Sequence, residues 1–177
     1  MKKILLIIYI LIFTSCTSLN KKVWTKINKK EIILNLEPGD IIIKEKTLSP
    51  LGIFGHSAIM KTERIVFDYP KLGQTSYEID INYWLEKNRD IIVLRYKKMN
   101  EKFREKLLEN MEKFSKMNYK IVFNKRDNTE FYCSHFIWYI YYQTAKDLGF
   151  VLDIDSDKGL IVFPYDFINS NELKIIY

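Results

Sequence analysis

Between Pro38 and Tyr96 short β-branched runs follow one another with turn residues between them, and helical periodicity begins only at Asn100. That order constrains the fold more than any other feature. "EPGDIIIKEK" reads as a turn at Pro38-Gly39 followed by a strand over Ile41 to Ile43. "FGHSAIMKTERIVFDY" reads as two strands joined by a turn near Thr62–Arg64, and "DIIVLRY", Asp90 to Tyr96, as another strand. In "NEKFREKLLENMEKFSKM" the residues Phe103, Leu107, Met111 and Phe114 form one apolar stripe with charges elsewhere, which predicts an amphipathic helix. A second helix runs through Cys133 and ends near Gly149. "GLIVFPYDF" then reads as a strand ending at Pro164. Strands and helices segregate instead of alternating, so the expected class is α+β, a mostly antiparallel sheet packed on helices. Aromatic residues make up 15% of the chain, enough to fill such a core with rings.

The first thirty residues belong to a different regime. "MKK" is a basic start, and "ILLIIYILIF" is an unbroken apolar run. That run is too short for a bilayer core of about 30 Å, which needs roughly 20 apolar residues, but it fits the apolar region of a signal peptide. "TSC" follows, ending in Cys16. The whole resembles a bacterial lipoprotein signal, in which the leader is cut before a cysteine that then carries lipid, although Phe13 stands where leucine is usual. A plain signal anchor is the alternative. The resemblance divides the chain into a leader (1–15), a lipid-anchored tether (16–31) and a domain (32–177). It implies export and attachment to a cell-envelope membrane through acyl chains, palmitate among them, on Cys16. Removing Lys2 and Lys3 with the leader lowers the net charge from +6 to +4. Lys21, Lys22, Lys26, Lys29 and Lys30 crowd the tether, which reads as a solvated linker with an attraction for anionic headgroups. No nucleic-acid-binding motif appears. Two histidines and no Cys-x-x-Cys or His-Glu-x-x-His spacing give no reason to expect a metal, and no glycine-rich phosphate loop points to a cofactor.

With Cys16 lipidated, Cys133 is the one thiol of the mature chain. Two readings stay open. Cys133, Phe136, Ile137, Ile140 and Thr144 follow one helix face, as a packing cysteine would. An unpaired cysteine in an exported protein instead suggests a reactive thiol. A nucleophile needs a base and a group to orient it. A turn centred near Thr62 sets His56 opposite Asp68, with Cβ atoms about 4.5–5.5 Å apart on one face. Without such a partnership His56 is an ordinary core histidine and Asp68 a turn residue. His135 lies two residues after Cys133 and points to another face of the helix. Asn128 and Thr129 are N-cap candidates, which puts Cys133 near the first turn, where the helix dipole favours thiolate. The thiol is expected to be partly accessible and within hydrogen-bonding reach of His56.

"LEPGDIIIKE", "FGHSAIM", "RIVFDYP", "FYCSHFIWYIY" and "IVFPYDFINSNELKIIY" occur in an order similar to that of the YiiX-like group of NlpC/P60 cysteine hydrolases. The resemblance covers roughly Pro38 to Tyr177 and implies a circularly permuted papain-like fold with the cysteine at a helix N-terminus. It implies Cys133 as nucleophile, His56 as base and Asp68 as the acidic third member, where glutamate is usual. Cys-x-His-Phe at Cys133 to Phe136 also resembles the lecithin retinol acyltransferase-like proteins, which transfer acyl groups on lipids. The expected function is therefore a membrane-anchored cysteine hydrolase that cleaves an amide bond, in cell-wall peptides. A lipid acyl hydrolase or acyltransferase, and a catalytically silent binding lipoprotein, are the alternatives. The expected partners are the membrane, through Cys16, and a peptide or acyl substrate.

Overall fold

The computed structural model describes Trp24 and residues 35–48, 52–86 and 89–177. The leader and Cys16 lie outside the described residues. The strands are β1 (Ile41–Lys44), β2 (His56–Met60), β3 (Ile65–Asp68), β4 (Tyr77–Asp80), β5 (Ile91–Tyr96), the two-residue β6 (Asn118–Tyr119) and β7 (Glu130–Phe131), and β8 (Leu173–Ile175). The helices are α1 (Ile81–Trp84), α2 (Glu101–Lys113) and α3 (Cys133–Asp147). Six strands form one antiparallel sheet in the order β4-β3-β2-β1-β5-β8, while β6 and β7 pair in parallel beside it. This is the expected α+β class.

The unbroken apolar runs in β1 and β5 follow from burial on both faces of the sheet. Ile41, Ile43, Ile92, Leu94 and Tyr96 pack toward α2 and α3, together with Phe103, Leu107, Phe136 and Ile140. Ile42, Ile91 and Val93 face the other way, onto a smaller core with Ala58, Met60, Val66, Ile81 and Trp84. At the start of β1 the buried Asp40 accepts from the Glu37 N–H and takes a two-pronged grip from Arg95 (2.7 and 2.8 Å). Tyr141 of α3 donates to the Gly39 carbonyl (2.6 Å), tying the helix to the same corner.

Three details depart from the sequence reading. First, β2 and β3 pair as Ile59↔Phe67 and Met60↔Val66, two residues from the expected register, so the hairpin turn is centred on Glu63. Second, α3 begins at Cys133 with Tyr132 as its N-cap. Asn128 and Thr129 precede β7, and Thr129 is held in a local turn by the Asp127 side chain (2.7 and 2.9 Å). Third, "GLIVFPYDF" is not a strand. The Val162 backbone is bonded to side chains instead, its N–H to the Tyr132 hydroxyl (3.0 Å) and its carbonyl to Ser134 Oγ (2.7 Å). Pro164–Phe167 then form a 3₁₀ turn, and the last strand is Leu173–Ile175. The expected end of α3 agrees with the structure, with Leu148 as C-cap and Gly149 beyond it at φ +84°. Trp24, within the segment read as tether, packs its ring on Tyr165 with centroids 5.4 Å apart.

Gly55 fixes the entry into β2. Its φ is +76°, and an added Cβ would sit 3.0 Å from the Lys44 carbonyl oxygen and 3.1 Å from the Tyr165 ring. Gly55→Ala therefore meets both backbone strain and a clash with main chain, and a loss of about 1–3 kcal/mol is expected. Thermal melting should show a fall of several degrees. An unchanged melting temperature would mean that this turn is softer than its geometry implies.

Candidate active site

The ladder between β2 and β3 runs only over Ile59↔Phe67 and Met60↔Val66, so His56 and Asp68 lie beyond its end. Because side chains alternate along a strand, a register shift of two keeps both on the expected face. They meet as diagonal neighbours and not as an opposed pair. His56 Nε2 contacts both carboxylate oxygens of Asp68, at 2.8 and 2.9 Å. That leaves Nδ1 for another partner. The Cys133 thiol lies near enough to His56 and to the Ser57 backbone N–H for both to act on its charge. The structure thus brings Cys133, His56 and Asp68 together. His135 stays apart: its Nε2 bonds the Lys125 carbonyl (3.0 Å), its Nδ1 is buried without a partner among the described residues, and burial lowers its pKa to about 4.

Asp68 is held by residues the sequence reading did not single out. The Trp84 indole N–H donates to Oδ2 (2.8 Å), and the Tyr77 hydroxyl donates to the same oxygen (3.3 Å). Tyr77 stands directly across the β3–β4 ladder from Asp68. The buried Lys44 ammonium lies over the Trp84 ring, 3.5 Å from its centroid, and adds positive charge near the carboxylate. Nothing in the chain's periodicity marks Trp84. The signal lies in tertiary structure, because the single-turn α1 folds its indole back under β3. Glu78 and Asp80, on β4, lie outside this group. Glu78 pairs with Lys61 (2.6 Å), and Asp80 caps α1 and pairs with Arg64 (2.9 Å).

The charges reinforce one another. Burial alone would lower His56, but the negative charges of Asp68 and Cys133 outweigh it and raise the imidazole from 6.5 to about 10. Burial would raise Asp68, yet the His56 charge and the hydrogen bonds from His56 and Trp84 bring it below its ordinary value. Cys133 follows the same pattern. Burial works against its thiolate, while the His56 charge, the His56 hydrogen bond and the Ser57 N–H leave its pKa lowered. Cys133 is also the first residue of α3, within its first turn as expected. The N–H groups of Cys133, Ser134 and His135 precede the first intrahelical bond, Phe136 N–H to Tyr132 O (2.9 Å). The thiol is more enclosed than expected, at 8% exposure, because the helix start is packed against β2; His56 retains 19%.

A different group of acids lies on the segment after α3. Asp155, Asp157 and Asp166 bring carboxylate oxygens within 4.8 Å of one another. Asp155 is paired with Lys125 (2.6 Å) and accepts from the Asp157 and Lys158 N–H groups.

Residues 35–177 match the model of the permuted papain-like amidase enzymes, the YaeF/YiiX, C92 family. Among solved structures the chain is similar to the metalloprotein yiiX from Escherichia coli O157:H7, with a TM-score of 0.59 and 14% identity, over 80% of this chain and 96% of that one. At that identity the likeness concerns the fold. No curated protein matches the chain.

The ion pair has a measurable consequence. Alkylation of Cys133 by iodoacetamide should proceed at pH 6, where an ordinary thiol with a pKa near 8.5 is mostly protonated. His56→Ala should move the alkylation profile to higher pH, because the imidazolium that favours the thiolate is gone. His135→Ala should leave the profile where it is. Equal shifts from the two variants would contradict the placement of the base.

Proposed function

The chain belongs to the permuted papain-like amidase family, and we propose that it is a lipid-anchored cysteine amidase acting on amide bonds of cell-wall peptides outside the cytoplasmic membrane. One observation supports the chemistry above all. A buried Asp68 holds His56 by Nε2, and that imidazole interacts with the only thiol among the described residues, at the first position of a helix. In this reading Cys133 is the nucleophile. Its thiolate adds to the amide carbonyl carbon, and the carbonyl π electrons move to oxygen. The N–H groups at the start of α3 stabilise that oxyanion. The protonated His56 then gives its proton to the departing amine as the C–N bond breaks, leaving a thioester. Water, with its proton taken by the now neutral His56, hydrolyses the thioester and returns the thiol. Asp68 orients the imidazole and stabilises its positive form, as the acid of a catalytic triad does.

In the anchor reading Trp24 limits how far the domain can sit from the lipid. It lies eight positions after Cys16, a reach of at most roughly 26–29 Å for an extended chain. Trp24 packs on Tyr165, and Tyr165 lies against Gly55, the residue before His56. A lipid on Cys16 therefore keeps the catalytic side of the domain close to the membrane surface.

One observation favours a second reading, an acyl-lipid substrate. Phe54, two residues before His56, is exposed, as are Ile121, Phe123 and Leu160. Exposed apolar side chains of this kind suit an acyl chain better than a charged peptide.

Cys133→Ser and His56→Ala should each remove nearly all hydrolysis, with Asp68→Asn leaving a measurable remainder, because asparagine still hydrogen-bonds an imidazole. Digestion of purified cell wall and of acyl lipids, followed by product analysis, separates the two substrate readings. Release of products from neither would remove both. Cys16→Ala should abolish membrane association while the domain stays folded; a variant that still sediments with membranes would rule out the lipid anchor.

A further inference from the structure

We infer that the two arms of the β1–β2 connection, residues 45–48 and 52–55, form a membrane-contact edge, with Leu48 and Phe54 entering the outer part of a lipid bilayer. The inference rests on the lipid-anchor part of the reading above. Leu48, at the end of the first arm, is fully exposed, and Phe54, on the second, is exposed as well. The arms are tied to each other, since the Thr47 N–H (2.9 Å) and the Gly55 N–H (3.0 Å) both donate to the Gly52 carbonyl. They also rest on one aromatic base. The Tyr165 hydroxyl accepts from the Lys46 N–H (2.7 Å), and the Lys46 ammonium lies over the Tyr165 ring, 4.3 Å from its centroid. Gly55 lies so close that an added Cβ would sit 3.1 Å from the same ring. Phe54 stacks on Phe163, with centroids 5.7 Å apart. The edge therefore joins a fixed aromatic base to apolar side chains that nothing among the described residues covers.

The path of the chain points to a bilayer as the occupant. Trp24 packs on the same Tyr165 ring, with centroids 5.4 Å apart. With Cys16 eight positions earlier, an acyl group there enters the membrane within about 26–29 Å of this base. Lys21 and Lys22 lie between the two, and Lys26, Lys29 and Lys30 follow, a basic segment that anionic headgroups attract. Exposed apolar side chains beside tryptophan, tyrosine and lysine suit an interface, where the rings sit at headgroup level and the apolar groups go deeper. The exposed Phe150 and Val151, beyond the far end of α3, have no such tie to the anchor. Two side chains are too few to hold a domain at a membrane by themselves. Their part is orientation: the lipid attaches the chain, and the edge decides which side of the domain meets the bilayer. β2 begins at His56, two residues after Phe54, so that side carries the catalytic imidazole.

The test uses the full lipidated chain in vesicles of phosphatidylethanolamine and phosphatidylglycerol, beside matched vesicles whose acyl chains carry bromine. Bromine quenches an indole only at contact range. Leu48→Trp adds an indole at the exposed end of the first arm, and Phe54→Trp is a second variant that keeps an aromatic ring. Val151→Trp adds one beyond the far end of α3 as the control. The emission of the unsubstituted chain, from Trp24, Trp84 and Trp138, is subtracted. In both loop variants the added emission should fall at least about twofold on brominated lipid, because interfacial insertion reaches roughly 5–10 Å. The control should not change. Loop variants that stay unquenched on vesicle-bound protein would overturn the inference, as would equal quenching of the control. An added indole that emits at shorter wavelength yet ignores bromine would assign a protein to this edge and overturn it as well. A native chain whose intact mass shows no acyl groups on Cys16 would instead overturn the lipid-anchor reading itself.

Discussion

A carboxylate at 3% exposure is the constraint on which the site depends. Taken out of water alone, Asp68 would protonate or move. It stays anionic because three side chains donate to it and a fourth lends charge: the His56 imidazole, the Trp84 indole, the Tyr77 hydroxyl and, behind the indole, the Lys44 ammonium. A fixed negative charge then favours the protonated imidazole, and that positive charge favours the thiolate. The alternation of negative, positive and negative within one buried cluster explains why His56 rises while Asp68 and Cys133 fall. Each member compensates the burial of the next, and removing any one leaves an uncompensated charge in a poorly solvated place.

Much of this was legible in the sequence. The strand runs, both long helices and the pairing of His56 with Asp68 follow from spacing and residue type. The hairpin register was off by two residues, yet an even shift preserves the face, and a diagonal pair still lies within side-chain reach. An odd shift would have separated the two groups by the thickness of the sheet. What could not be read depends on contacts between distant segments. Trp84 sits in a single-turn helix with no apolar stripe, and only the folded chain shows that its indole reaches a carboxylate sixteen residues earlier. The segment around Val162 has the composition of a strand, but its backbone groups are taken by Tyr132 and Ser134 before a ladder forms.

The two readings of Cys133 turn out to be compatible. Phe136, Ile137 and Ile140 do pack into the larger core, as the helical stripe implies. Cys133 stands at the end of that stripe, where the helix stops and the sheet has opened, so the same periodicity that buries its neighbours delivers its sulfur to His56. Local pattern describes the face a residue shares with its neighbours. It does not describe what waits beyond the last turn.

The location of the site between two cores has its own consequence. Cys133 rides on a helix packed on the larger core, whereas the indole and ammonium that hold Asp68 belong with the smaller core on the opposite face of the sheet. His56, at the end of β2, joins them where the β2–β3 ladder has ceased. Had the ladder continued, backbone hydrogen bonds would have occupied the space that the thiol and the Ser57 N–H now share. The early end of one strand pair therefore permits a helix N-terminus, an imidazole and a carboxylate to meet with little water between them. In such a setting fixed donors and charges act more strongly than they would at the surface, and a carbonyl that enters finds the charge arrangement already in place.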